Sequence, residues 1–240
     1  MSLKKETFLL FATLGLLLCA IFLLENPIRA ALSNLLANKT KFTVVIDAGH
    51  GGFDSGKVGI DGTLEKDINL SIAKKLEALL LANDIHVIMT RIDDHDLCTE
   101  SSAGKKRQDM TNRVEIMNAS NADCIVSIHQ NSYPDSRVHG AQVFYYTNSI
   151  SGKSLATLIQ KSLITRVDPS NHREEKSDNN YFILKNSRFP TVIVECGFLS
   201  SLDESKKLVD DTYQQKLAWA IHLGILQYLN GTVPNSHILK

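Results

Sequence analysis

The sequence predicts an α/β fold: a mostly parallel β-sheet flanked by helices on both faces, behind an N-terminal transmembrane helix. Three observations lead there. The runs Val44-Val45-Ile46, Cys124-Ile125-Val126 and Val192-Ile193-Val194 are continuously apolar and rich in β-branched residues, as strands buried on both faces require. Segments with apolar residues at helical spacing lie between them. A leader of almost unbroken apolarity precedes them all.

The leader comes first. Lys4 and Lys5 precede an apolar run from Phe8 to Leu24. At 1.5 Å per residue it covers roughly 25 to 27 Å, just enough to cross a bilayer core. The run is longer than a usual signal-peptide core and lacks a convincing cleavage site before Glu25-Asn26-Pro27, which favours an uncleaved anchor. The lysines favour an inside N-terminus and an exported domain. The expected organisation is therefore a signal anchor over residues 1–25, a juxtamembrane linker over 26–41, one folded domain over 42–230 and a tail over 231–240.

Within that domain, the first strand runs into the turn Asp47-Ala48-Gly49-His50-Gly51-Gly52. Ile68, Ile72, Leu76, Leu79 and Leu80 place a helix near Glu65 to Ala82. A strand over His86 to Thr90, a polar loop from Arg91 to Gln108 and a helix near Asp109 to Ala119 come next. Cys124 to His129 and Gly140 to Tyr146 read as strands, and Ser154 to Ile164 as a helix. Asp168 to Asn180 is charged and turn-rich, hence a surface loop. Tyr181 to Leu184 and Thr191 to Glu195 are predicted strands, and Tyr213 to Leu229 is the closing helix.

Composition excludes several classes. With 26 basic and 26 acidic residues in 240, the chain has no formal net charge and no basic stripe suited to nucleic acid. A hydrophobic content of 43% is that of a packed domain. Cys19, Cys98, Cys124 and Cys196 form no C-x-x-C pair, so they read as structural thiols.

Candidate chemistry gathers where strands end, because ligands of such sheets bind beyond the carboxyl ends of the strands. The first turn could cradle a phosphate or present His50 to a metal. It contains neither G-x-G-x-x-G nor G-x-x-x-x-G-K-[ST], which argues against a nucleotide. His129 stands on the third strand, Glu195 on the last main strand, and Glu65 opens the first helix. Two imidazoles and a carboxylate are a common catalytic zinc set with one position open to water. Each residue also has an ordinary reading. Glu65 could complement a helix dipole, and His129 could be a hydrogen-bonded strand-end histidine. For Glu195 the ordinary reading is weakest, since a buried carboxylate is costly unless paired or metal-linked.

Four blocks in order carry a resemblance: Asp47-Ala48-Gly49-His50-Gly51-Gly52, Leu64-Glu65-Lys66-Asp67, Ser127-Ile128-His129-Gln130-Asn131 and Val194-Glu195-Cys196-Gly197-Phe198-Leu199-Ser200. Together, over about Phe42 to Leu229, the chain resembles the zinc-dependent N-acetylmuramoyl-L-alanine amidases of bacterial peptidoglycan. Ala48 and Ser201 stand where many members have proline and asparagine, and neither is a ligand position. The resemblance implies one zinc ion held by His50, Glu65 and His129, and Glu195 as the catalytic glutamate. It also implies peptidoglycan as substrate and an extracytoplasmic, membrane-anchored location. The single domain behind an anchor, with Met89-Thr90-Arg91, a polar loop and Arg113, looks like the sporulation amidases of spore cortex maturation. There, peptide removal precedes muramic-δ-lactam formation.

Asp47 and Asn131 are then candidates for orienting the histidines by hydrogen bonds, with capping of the glycine turn as the other reading of Asp47. Arg113 could meet a stem-peptide carboxylate, but the preferred reading is a solvated arginine on a helix face. Two rivals to the amidase are a zinc carboxypeptidase acting on stem peptides and an inactive wall-binding sporulation protein. An activating protein partner is a further expectation, since a free wall hydrolase must be restrained.

Overall fold

The computed structural model describes residues 42–98 and 104–232. The expected anchor, the linker and most of the tail lie outside the described residues. No helix among the described residues is long and apolar enough to cross a membrane.

The elements in chain order are β1 (Thr43–Ala48), α1 (Glu65–Leu81), β2 (His86–Met89), α2 (Lys105–Ala119), β3 (Cys124–Asn131), β4 (Gln142–Tyr145) and α3 (Ile150–Arg166). β5 (Lys176–Ser177), α4 (Phe182–Asn186), β6 (Thr191–Phe198), α5 (Leu202–Leu208) and α6 (Asp211–Thr232) complete the domain. The sheet order is β2-β1-β3-β6-β4-β5. β2, β1, β3 and β6 are mutually parallel; β4 runs antiparallel to β6, and β5 pairs parallel with β4. The sheet is therefore mixed: β2, β1, β3 and β6 run one way, β4 and β5 run the other, and only the β4–β6 pairing is antiparallel.

Strand alternation divides the core. Val44, Ile46, Val126, Ile128, Val192 and Val194 pack with Ile72 and Leu76 of α1, Leu155 and Ile159 of α3, and Ile221 and Ile225 of α6. Val45 and Ile125 point to the other face, against Val114 and Met117 of α2 and Ile183 of α4. Ile193 and Phe144 meet Leu184 there.

Two predicted elements differ, and two short ones were not expected. Tyr181 to Leu184 is not a strand: Phe182–Asn186 is a short helix whose Ile183 and Leu184 both reach the sheet. Four apolar residues do not distinguish the two structures by periodicity. Glu195 lies inside β6 rather than at its end, because the strand continues to Phe198 alongside Asn131. α5 and β5 arise in segments read as connections, and both are short.

Candidate metal centre

β1 leads through α1 to β2 on one side, and β2 through α2 to β3 on the other. The order in which strands are added to the sheet thus reverses between β1 and β3, and such a switch point leaves a crevice at the carboxyl ends of the strands. His50 lies just past β1 and His129 near the end of β3. Their rings meet edge-on with centroids 5.0 Å apart.

Local sequence explains this approach. A Cβ on Gly49 would lie 2.3 Å from the His129 ring, so only glycine fits there. His50 itself takes the left-handed φ of 61°, a strained conformation for a residue with a side chain. Gly49 N–H donates to Ile128 O at 3.1 Å, joining the turn to β3. Between His129 and Asn131 the β3–β6 register shifts, a local irregularity of a kind common beside active sites.

Glu65 reaches the same crevice from the start of α1. The N–H groups of Glu65 and Lys66 donate to Lys57 O and Ser55 O, so the loop satisfies helix-end donors. The Glu65 carboxylate is free to do something else. Its Oε2 lies 3.2 Å from His50 Nε2, and its Oε1 lies 3.0 Å from His129 Nδ1. Lys57 N–H donates to Oε2 and Gln130 N–H to Oε1, at 2.8 and 3.0 Å. Burial works against its charge, yet the hydrogen bonds from His129 and His50 hold its pKa well below the ordinary carboxylate range. His50, Glu65 and His129 each offer a ligand atom within 4.8 Å of the others, a group that could hold a metal ion.

These residues line a cavity of about 390 Å³ together with Glu195, Asn131, Tyr181, Lys57 and Lys106. Glu195 stands beside His129 in the β3–β6 register. Tyr181 Oη donates to its Oε1 at 3.3 Å, while its buried Oε2 has no hydrogen-bond partner among the described residues. Burial pushes the Glu195 carboxyl up from its ordinary pKa. A carboxylate so held is suited to accept a proton.

The other sequence candidates lie apart. Asp47 hydrogen-bonds neither ligand ring: it accepts from Thr90 and Ser127 hydroxyls at 2.7 and 2.5 Å and from Arg113 Nη1 at 2.7 Å. Both readings of Asp47 are thereby corrected, since it is a buried counter-ion beneath the turn. Arg113 is corrected too. It is 1% exposed and does not line the cavity around His50; it bonds Asp47, Asp109 at 2.7 Å, Ala48 O at 2.8 Å and His50 O at 2.6 Å. Asn131 lines the cavity but its Oδ1 accepts from Ser132 N–H, so it orients no histidine. The residue that does so escaped the sequence reading. Asp54 Oδ2 lies 2.9 Å from His50 Nδ1, and Lys106 pairs with the same oxygen at 3.3 Å. Its position four residues after His50 was the one available signal.

Comparisons with known proteins identify the family. The N-acetylmuramoyl-L-alanine amidase family model (Amidase_3) matches residues 44–227. A germination-specific N-acetylmuramoyl-L-alanine amidase of Bacillus subtilis is 36% identical over 188 residues, covering 77% of this chain and 78% of that protein. The CwlD amidase of Clostridioides difficile, solved in complex with the GerS lipoprotein, is 43% identical with a TM-score of 0.77, over 80% of this chain and 100% of that one. AmiC2, an N-acetylmuramoyl-L-alanine amidase of Nostoc punctiforme, is 35% identical with a TM-score of 0.70, over 80% and 99%. The chain belongs to the N-acetylmuramoyl-L-alanine amidase family, hydrolases that cut the amide joining N-acetylmuramic acid to the L-alanine of the peptidoglycan stem peptide.

Proposed function

We propose that this amidase is zinc-dependent, with His50, Glu65 and His129 as metal ligands and Glu195 as its general base. The supporting observation is the convergence of three ligand atoms, from three separate elements, beside a buried carboxylate oxygen without a partner. The donor set suits zinc, which favours imidazole and carboxylate ligands in a tetrahedral arrangement. The 3.2 Å between His50 Nε2 and Glu65 Oε2 is close to the roughly 3.3 Å edge of a tetrahedron with bonds of ~2.0–2.1 Å. Asp54, by accepting from Nδ1, leaves Nε2 of His50 as the ligating nitrogen.

When bound, zinc supplies Lewis acidity that polarises the scissile carbonyl and acidifies the attacking water. Glu195 takes the water's proton on Oε2 and delivers it to the departing alanine amine. Tyr181 restrains the carboxylate by its bond to Oε1. Glu65 and the two histidines keep their positions through the N–H donors of Lys57 and Gln130 and the carboxylate of Asp54.

The biological setting is spore cortex maturation leading to muramic-δ-lactam, a reading supported by the germination-specific name of the Bacillus subtilis relative. The catalytic domain over 42–230 acts outside the cytoplasm behind the anchor over 1–25. A protein partner is part of the proposal, since the CwlD neighbour was solved with one.

Digestion of purified peptidoglycan, followed by mass analysis of the products, tests the chemistry. Glycan free of peptide is expected; shortened stems would instead indicate a carboxypeptidase. Glu195→Gln is expected to retain zinc and to lose on the order of 10²- to 10⁴-fold in rate. His129→Ala should lose zinc and activity together, and unchanged zinc in that variant sinks the ligand assignment.

A further inference from the structure

Three consecutive main-chain carbonyls of the His50 turn are held by two buried guanidinium groups. Ala48 O accepts from Arg91 Nε and from Arg113 Nη1, both at 2.8 Å. Gly49 O accepts from Arg91 Nη2 at 3.0 Å, and His50 O from Arg113 Nη2 at 2.6 Å. The two arginines differ in counter-charge. Arg113 bonds the carboxylates of Asp47 and Asp109. Arg91, 2% exposed, donates only to main-chain carbonyls, its remaining bonds going to Lys66 O at 2.8 Å and Asp93 O at 2.9 Å.

A buried cation without a bonded carboxylate is costly. What it secures is geometric. Lys66 follows Glu65, so one planar guanidinium joins the turn carrying His50 to the first turn of the helix carrying Glu65. Asn69, fully buried, repeats the connection. Its Nδ2 donates to Gly49 O at 3.1 Å and to Glu65 Oε1 at 3.4 Å. Its Oδ1 accepts at 3.1 Å from Nε2 of Gln130, the neighbour of His129. All three ligand-bearing segments are thus bound to one another through Arg91 and Asn69. The left-handed backbone of His50 needs such restraint, because a strained residue persists only where its surroundings over-determine it.

We propose that Arg91 and Asn69 are positioning residues for the metal centre, clamping the His50 turn to the Glu65 helix and so setting metal affinity without touching the ion. The clamp rests on the metal-site reading above. Lysine cannot replace Arg91 in this role, since a single ammonium lacks the rigid fork that spans carbonyls on two elements.

Zinc affinity by chelator competition and the absorption bands of cobalt(II)-substituted protein test this in wild type, Arg91→Lys and His129→Ala. Thermal unfolding of each metal-free protein runs alongside. Folded Arg91→Lys is expected to bind zinc on the order of 10- to 100-fold more weakly and to show displaced cobalt bands. A residue serving stability alone would lower the unfolding midpoint and leave both metal readouts as in wild type, which would overturn the proposal. Where Arg91→Lys does not fold, Asn69→Ala carries the test: weakened zinc binding supports the clamp, and unchanged binding overturns it. His129→Ala separates the two readings. If it binds zinc like wild type, the metal site and the clamp both fall; if it loses zinc while folded Arg91→Lys keeps it, only the clamp falls.

Discussion

The two faces of the sheet are built on different principles. The face under α1, α3 and α6 is an apolar layer in which Ile72, Leu76, Leu155, Ile159, Ile221 and Ile225 close over β-branched strand residues. The face under α2 and α4 has a smaller apolar contact, centred on Val45, Ile125, Met117 and Ile183. Its strand alternation continues into Asp47, Ser127, His129 and Glu195, all polar. The first face supplies area removed from water. The second trades part of that area for hydrogen-bonded polar groups and an open cavity. The difference teaches where this fold can carry chemistry: stability from one face permits polar, strained construction at the strand ends of the other.

The comparison can be broken by removing one group from each face. Arg113→Met leaves Asp47 and Asp109 buried without their partner, and breaking such a pair typically costs about 3–5 kcal/mol. It also frees His50 O, so zinc affinity should fall along with the unfolding midpoint. Leu76→Ala on the apolar face should cost about 2–5 kcal/mol by leaving a cavity. Zinc affinity and rate per folded molecule should then equal those of wild type. Denaturant unfolding with zinc titration checks both, and a Leu76→Ala protein with impaired zinc binding would erase the distinction between the faces.

Acid gives a smaller effect from the same source. Burial disfavours the Asp47 carboxylate, but Arg113 and the Ser127 and Thr90 hydroxyls bring its pKa down to about 2. A carboxyl depressed on folding adds stability that is complete above its unfolded pKa of roughly 4 and is lost as pH falls toward 2. The contribution is on the order of 2 kcal/mol. Urea unfolding of metal-free protein between pH 5 and 2 should show that loss in wild type. It should be diminished in Asp47→Asn, and an equal pH slope in both would remove Asp47 from the account.

Much of this was legible in the chain. His50, Glu65, His129 and Glu195 stand in separate sequence blocks, and the structure brings all four to one cavity. Arg113 and Asp47 were misread because a helix of mostly polar residues offers no sign that one arginine turns inward. Nor does a Gly turn reveal which groups bind its carbonyls. The Tyr181 segment was misread because its apolar run is too short to display a period.

The sequence by itself determined the α/β class, the alternation of core positions and the residue types of the site, since these depend on local pattern and on chemistry that few residues can supply. Tertiary structure alone decided that β4 runs against β6 and that Arg91 and Asn69 join the ligand segments. Those outcomes depend on distances between segments far apart in the chain. Such distances are set by packing of the whole domain, so no local pattern encodes them.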